Sequence, residues 1–121
     1  GGCGDPGAES VAGMIFAPSM VAAILEGRKT QTRRVAYCGQ LTCTYQVGRT
    51  YSIQPGRGKP AKAHLHVTGV REERLWRITD DDVRAEGFVS RNEFADHWKQ
   101  VNGSLNWDDD VWVITFDLVK P

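Results

Sequence analysis

Residues 14–34 have the sequence MIFAPSMVAAILEGRKTQTRR, and this segment is the most informative part of the chain. Residues 14–17 predict a short strand, and Pro18 suits the first position of a helix, where its missing amide hydrogen costs nothing. Gly27 is a typical C-terminal stop. Three apolar residues recur between them at the spacing of one buried helix face: Val21, Ile24 and Leu25.

Residues 27–34 place four cations, two hydroxyls and an amide directly behind this helix. Lysine and arginine are rarely buried without partners, so the cluster indicates a site for an anionic ligand. We predict that it lies in the loop leaving the helix, as functional groups often do. Arg33 and Arg34 suit bidentate contacts to phosphate, with Arg28 as a further ligand-binding cation.

The charge of the chain is balanced overall but unevenly distributed. The 15 basic and 15 acidic side chains give a net charge of zero. Residues 28–77 hold eleven basic and two acidic side chains, whereas residues 78–121 hold four basic and ten acidic ones. Such asymmetry indicates contact with nucleic acid. The alternative is that the two halves neutralise each other across the fold.

The length of 121 residues fits a single domain with its own hydrophobic core. No apolar run approaches the roughly 20 residues of a membrane span, and no secretory signal is visible, so we predict a cytoplasmic protein without a membrane partner. Residues 1–13 contain five glycines and predict a flexible leader, which leaves residues 14–121 as the domain.

The cysteines number three, Cys3, Cys38 and Cys43, which suits reduced thiols better than a disulfide framework. A zinc site built from Cys38, Cys43, His64 and His66 is the alternative. The cysteine spacing is wider than the usual two residues, and both histidines fall in a strand-like run. We therefore predict no metal and no cofactor.

The middle of the chain predicts strands. Residues 47–54 alternate as a strand, and residues 55–60, which include Arg57 and Lys59, form a basic loop with two prolines and two glycines. Residues 63–75 predict a long strand, with Gly69 at a bulge.

The last third predicts two helices and a strand. Thr79 is a good N-cap for a helix ending at Gly87, and Ser90 with Glu93 forms a capping box for a second helix ending at residues 102–103. The apolar stripe of this second helix consists of Phe94, Trp98 and Val101. Residues 111–119 predict a strand with four apolar side chains on one face: Trp112, Ile114, Phe116 and Leu118. The element order favours an α+β fold, a small mixed β-barrel flanked by about three helices.

The chain resembles the ASCH domain family of the PUA-like superfamily, from about residue 14 to residue 119. Gly27, Lys29 and Arg34 match the family's Gly-x-Lys-x-x-x-x-Arg signature. Supporting segments are residues 47–51, Leu75 with residues 78–79, residues 85–88 and residues 111–114. The resemblance implies a β-barrel whose cleft binds RNA or a nucleotide-like ligand.

One branch of the family is similar to small amidohydrolases that remove the acetyl group from N4-acetylcytidine. The matching positions are Lys29, Thr32 and Glu86. The chemistry is reasonable because a threonine hydroxyl needs a nearby base, and a lysine of lowered pKa can serve as one, with a carboxylate to position it or carry the proton. Those amidohydrolases are shorter and lack the basic loop and the Trp-rich C-terminal half, which leaves the substrate open.

The alternatives are a ribonuclease and an RNA-binding module without catalysis. In a ribonuclease, Lys29 and Tyr51 would assist cleavage, with His64 or His66. In a binding module, Lys29 would clamp a phosphate, Thr32 would bond to the local backbone in a turn, and Glu86 would pair with Lys29 or Arg34. Tyr51 and Trp76 are candidates to stack on a base, whereas Trp98, Trp107 and Trp112 are interpreted as structural.

Overall fold

The computed structural model of the chain describes residues 13–36 and 43–119. The strands are β1 (Gly13–Ile15), β2 (Gln31–Val35), β3 (Thr50–Gln54), β4 (Ala63–Arg74) and β5 (Asp110–Leu118). The helices are α1 (Pro18–Leu25), α2 (Asp80–Ala85) and α3 (Arg91–Asn102), with a 3₁₀ turn at Leu75–Arg77. Gly13, which we predicted in the leader, is the first residue of β1, and residues 1–12 lie outside the described part.

The strands form one mixed sheet in the order β1-β3-β4-β5-β2. The β1–β3 ladder is parallel and the other three are antiparallel. Within the described residues β1 and β2 are the two edges and do not pair, so the sheet is open. The predicted α+β class is confirmed, and the prediction of a barrel is wrong.

Strand β2 contains the second half of the cationic cluster, which we predicted as a loop. Gln31–Val35 pairs residue by residue with β5, from Gln31 opposite Thr115 to Val35 opposite Val111. The loop prediction is wrong because ladder hydrogen bonds to a long buried strand outweigh local sequence signals. The pairing also sends alternate side chains of the cluster to opposite faces of the sheet.

The long strand β4 carries the predicted bulge, which lies between Val67 and Gly69. A Cβ atom at Gly69 would lie 2.6 Å from Oγ1 of Thr115, so only glycine fits here without a shift. The predicted strand at residues 47–54 is shorter than expected, because residues 47–48 form a turn and β3 begins at Thr50.

The helices begin where the sequence predicted, but two apolar residues that we placed on buried helix faces are exposed. The Thr79 hydroxyl accepts from the Asp82 N–H and the Asp82 carboxylate accepts from the Thr79 N–H. At α3 only the Ser90 half of the predicted capping box forms, accepting from the Glu93 N–H at 3.2 Å. Leu25 and Val101 are exposed, with 47% and 62% of their surface accessible, so neither belongs to a buried stripe.

The hydrophobic core is centred on β5. Val111 and Val113 are fully buried along with Trp112, Ile114 and Phe116, so the strand is covered on both faces rather than on the single face that alternation predicted. A central strand between β4 and β2 has this environment. None of the helices in the described ranges has the length and apolar character needed to cross a membrane.

Candidate functional site

A cavity of about 390 Å³ opens between the start of α1, strand β2 and helix α3. This volume is in the range of small-molecule sites. Residues from α1, β2, β5, α3 and the end of α2 line it. Its ionisable or hydrogen-bonding side chains include Lys29, Thr32, Arg34, Glu86, His97 and Trp112.

Lys29 is buried in the wall of this cavity, with 4% of its surface exposed. Its Nζ donates to the backbone oxygens of Gln31 at 2.8 Å and Glu86 at 2.9 Å. It also donates to Oε1 of Glu86 at 3.3 Å. These three acceptors use all the donors of an ammonium group. Burial lowers the pKa of Lys29, and Glu86 opposes that effect.

The main chain holds Lys29 at this position. Its N–H donates to the Ala23 oxygen at the end of α1, 3.1 Å away. Gly87 packs directly against it, with a φ of +100°. A Cβ atom on Gly87 would lie 3.4 Å from the Cβ atoms of both Lys29 and Ala23. The glycine after α2 therefore permits the approach that brings Glu86 to Lys29.

Glu86 is the C-cap residue of α2 and is 3% exposed. Its Oε1 faces Lys29, and its Oε2 accepts from Nη1 of Arg33 at 3.1 Å. The predicted ion pair of Glu86 with Lys29 is confirmed; the alternative pairing with Arg34 is not observed. The carboxylate thus joins two buried cations.

The Arg33 guanidinium is completely buried, which makes our prediction of a phosphate contact wrong for this residue. It forms ion pairs with Glu73 at 2.5 Å, Asp82 at 3.3 Å and Glu86 at 3.1 Å. Burial raises the pKa of Asp82, but the hydrogen bond from the Thr79 N–H and the charge of Arg33 outweigh it and lower the pKa overall. Asp82 and Glu86 come from the acidic part of the sequence, so the two halves of the chain do neutralise each other here.

Thr32 also lines the cavity and is 5% exposed. It lies opposite Ile114 in the β2–β5 ladder. Its hydroxyl forms no hydrogen bond with any residue in the described ranges, and it is in a strand, so the interpretation of a turn-stabilising threonine is wrong.

Both arginines line the cavity, but Arg34 differs from Arg33 in forming no ion pair with an acid among the described residues. Its Nη2 donates to the backbone oxygen of Ile15 at 2.9 Å, and its guanidinium carbon lies 4.9 Å from the centre of the Phe16 ring. Burial lowers the pKa of Arg34, and Tyr45 and Glu86 oppose that effect.

His97 is a residue of the cavity that our sequence analysis missed. It projects from α3, and its ring centre lies 5.2 Å from that of Phe88. Burial and the nearby Lys29 lower the pKa of His97, and Glu86 acts in the opposite direction. The signal was its spacing, because His97 lies three residues after Phe94 and one before Trp98 on the buried stripe of α3.

Trp112, which we predicted as a structural residue, also has an indole N–H at the cavity wall. It lines the cavity, and its Nε1 is buried with no hydrogen-bond partner in the described part of the chain.

The other predicted ligand-binding residues do not line the cavity. Arg28 is exposed and pairs with Glu26 at 3.0 Å. Arg57 and Lys59 are exposed in the β3–β4 loop, and Trp76 is 52% exposed beside the Arg77 guanidinium. Tyr51 is buried, and its hydroxyl oxygen accepts from the Gln46 N–H at 2.8 Å, so the prediction that it stacks on a base is wrong.

Of the predicted ribonuclease and zinc residues that the structure describes, only Lys29 and Cys43 line the cavity. Tyr51, His64 and His66 do not line it, and His66 Nδ1 lies 3.3 Å from the Thr50 hydroxyl. Cys3 and Cys38 lie outside the described residues. Among residues 13–36 and 43–119, no group of three metal-ligating side chains converges.

Three solved structures resemble this arrangement of strands and helices. An ASCH domain from Lactobacillus crispatus superimposes with a TM-score of 0.65 at 18% identity, covering 90% of this chain and 79% of that one. The chain has the fold of ASCH domains. An ASCH protein from Zymomonas mobilis gives a TM-score of 0.58 at 14% identity, with coverages of 89% and 69%. The predicted resemblance is thereby confirmed for the fold.

The ASCH fold of this chain is also similar to a protein of Enterococcus faecalis described under the family name DUF984. That structure gives a TM-score of 0.70 at 16% identity, covering 92% of this chain and 82% of the other. No family model matches the sequence, and no curated protein matches it closely enough to indicate a relationship.

Proposed function

We propose that this chain is a hydrolase that cleaves the amide bond of an acylated nucleoside or nucleotide, with Lys29, Thr32 and Glu86 as its catalytic residues. The observation that carries the proposal is the buried Lys29–Glu86 ion pair, which shares the wall of one cavity with the unbonded hydroxyl of Thr32. The cavity volume of about 390 Å³ and its aromatic walls suit a nucleobase. The resemblance to amidohydrolases of the ASCH family supplies the reaction type.

In this reaction the Thr32 oxygen attacks the acyl carbon and its proton passes to the uncharged amine of Lys29. The resulting ammonium gives that proton to the leaving nitrogen as the carbon–nitrogen bond breaks. Water then hydrolyses the acyl-threonine ester, which releases the acid and restores the hydroxyl. Burial favours the uncharged amine, and Glu86 stabilises the ammonium that forms.

Arg33 has a positioning role in this scheme. It holds Oε2 of Glu86 from the side opposite Lys29, which fixes the carboxylate on two sides. The proton transfer itself is carried out by Lys29, and general acid–base catalysis by a positioned side chain typically contributes about 10²–10⁴-fold.

The test uses Thr32→Val, which removes the hydroxyl and keeps the side-chain shape, and Lys29→Met. We expect Thr32→Val to bind N4-acetylcytidine with unchanged affinity in calorimetry and to release no cytidine in a chromatographic assay. We expect Lys29→Met to slow release by at least about 10²-fold. Arg28→Met, at an exposed neighbouring position, is the matched control and keeps wild-type turnover. Thermal unfolding of each variant shows whether a loss of cytidine release results from misfolding.

A wild type that binds N4-acetylcytidine without releasing cytidine would reject the hydrolase proposal for this substrate. Turnover by Thr32→Val equal to that of the wild type would reject the threonine nucleophile.

RNA binding without catalysis is a second candidate, and one observation favours it. Arg49, Arg57, Lys59 and Lys62 are exposed and form no ion pair with residues in the described part of the chain. Binding through such cations would weaken with added salt. The discriminating measurement is the affinity for single-stranded RNA at two salt concentrations, in the wild type and in Lys59→Glu/Lys62→Glu. Salt-independent affinity, unchanged by the double variant, would reject this candidate.

A further inference from the structure

Arg34 is a cation of the cavity wall without an acidic partner in the described part of the chain. No carboxylate in residues 13–36 or 43–119 forms an ion pair with its guanidinium. Residues 37–42, which follow β2, have the sequence YCGQLT and contain no acid. A partly desolvated guanidinium without a counter-charge is unfavourable, so a bound anion would stabilise it.

The acids that surround the neighbouring cations already have partners. Oε1 of Glu86 pairs with Lys29 and Oε2 pairs with Arg33, so the charge of this carboxylate is shared between two cations before Arg34 is considered. Glu73 and Asp82 pair with Arg33 and also with Arg71. Among the described residues, ion pairs therefore neutralise Lys29 and Arg33, whereas Arg34 forms none.

The Arg34 guanidinium is also held in a fixed orientation. Nη2 donates to the Ile15 oxygen, and the guanidinium carbon lies 4.9 Å from the centre of the Phe16 ring. These contacts use one of its five N–H donors and leave the others for a planar oxyanion. A guanidinium fixed before binding loses little side-chain entropy on forming such contacts.

A second donor lies beside Arg34. Trp112 is directly opposite Arg34 in the β2–β5 ladder, so the two side chains share one face of the sheet. Trp112 is 8% exposed, and its Nε1 lacks an acceptor in the described part of the chain. Two neighbouring residues of the cavity wall thus each have donor capacity that no acceptor within residues 13–36 and 43–119 satisfies.

We propose that Arg34 anchors an oxyanion subsite in this cavity, which receives one phosphate or carboxylate group of the ligand, with Trp112 as an accessory donor. This inference rests on the proposed function, because it assumes that one molecule occupies both the subsite and the Lys29–Glu86 site. The substrate is then an acylated nucleotide or another acylated anion, and a neutral nucleoside fills only part of the site.

The test compares cytidine with cytidine 5′-monophosphate, and inorganic phosphate with acetate. We expect the nucleotide to bind at least about tenfold more tightly than the nucleoside, because its phosphate gains one charge-assisted bidentate contact with Arg34. Arg34→Met should remove this difference without changing the affinity for cytidine, Arg34→Lys should retain part of it, and Arg28→Met should retain all of it. Nuclear magnetic resonance of the Arg34 Nε–H shows which anion, phosphate or acetate, perturbs it at the lower concentration.

Equal affinities of the wild type for cytidine and its monophosphate would overturn the proposal. So would an Arg34 signal that neither phosphate nor acetate shifts, or phosphate binding that persists in Arg34→Met. The double variant Asp5→Asn/Glu9→Gln removes the two acids of residues 1–12. If phosphate binds to this variant and not to the wild type, acids of the chain itself occupy the subsite, and its assignment to a ligand is wrong. None of these measurements needs turnover, and the hydrolysis of neutral N4-acetylcytidine tests the proposed function separately.

Discussion

Replacing Arg33 by methionine would remove the buried cation that Glu73, Asp82 and Glu86 share. Removing one partner of a buried ion pair costs about 3–5 kcal/mol, because the other charge is left uncompensated. Glu86 would keep Lys29 as a partner, while the side chains of Glu73 and Asp82 are 14% and 16% exposed and retain some water. We therefore expect the lower end, a loss of about 3 kcal/mol from the free energy of unfolding.

Urea unfolding followed by circular dichroism measures this loss as a lower midpoint with an unchanged slope. At about 4 °C per kcal/mol for a domain of this size, the melting temperature should fall by about 12 °C. The exposed Arg28→Met is the control, and its loss should not exceed about 0.5 kcal/mol. Adding Glu73→Gln to Arg33→Met should restore about 1 kcal/mol, because it removes a carboxylate that would keep only the half-exposed Arg71 as a partner.

A loss below about 1 kcal/mol for Arg33→Met would refute the reasoning, since exposed ion pairs have effects of that size. An additive double variant, with no recovery from Glu73→Gln, would show that the carboxylates do not share the cation.

Three further changes test the surroundings of the cavity. Gly87→Ala should lower the free energy of unfolding by about 1–2 kcal/mol in urea, because position 87 has a φ of +100° and its new methyl group would press on Lys29. Thr79→Ala should cost about 1 kcal/mol in thermal unfolding through loss of the α2 N-cap, whereas Thr79→Ser should cost little. Because the pKa of His97 is lowered on folding, its contribution to stability should be lost as the pH falls below about 6.5. Urea unfolding across this range should show the wild type losing stability relative to His97→Asn; parallel curves would contradict the burial of the imidazole.

The local elements of the fold were largely predictable from the sequence, whereas their pairing was not. Pro18, Thr79 and Ser90 mark helix starts through chemistry confined to one turn, and the structure begins helices directly at or after them. Strand β2 was mistaken for a loop because its stability comes from β5, about 80 residues away in the chain. The closure of the sheet depends on how its two edges meet, which no local pattern encodes.

The candidate site was predictable only through the resemblance to a family. Nothing in the spacing of Lys29 and Glu86, which are 57 residues apart, indicates that they touch. Charge alone also failed to separate Arg33 from Arg34, because adjacent strand residues point to opposite faces and only Arg33 meets the acidic side chains Glu73, Asp82 and Glu86. His97 was detectable as a polar residue on an apolar stripe, a pattern that we had interpreted only as packing.

Two of the three acceptors around the Lys29 amine are peptide carbonyls, those of Gln31 and Glu86. Substitution of a side chain leaves these carbonyls in place, so the amine should keep its location when the Glu86 carboxylate is exchanged for an amide or a shorter acid. The residue at position 86 can therefore change the pKa of the Lys29 amine without changing the position of the amine. A graded set of residues at position 86 would make the ASCH scaffold a means of adjusting the protonation of an enclosed amine without moving it.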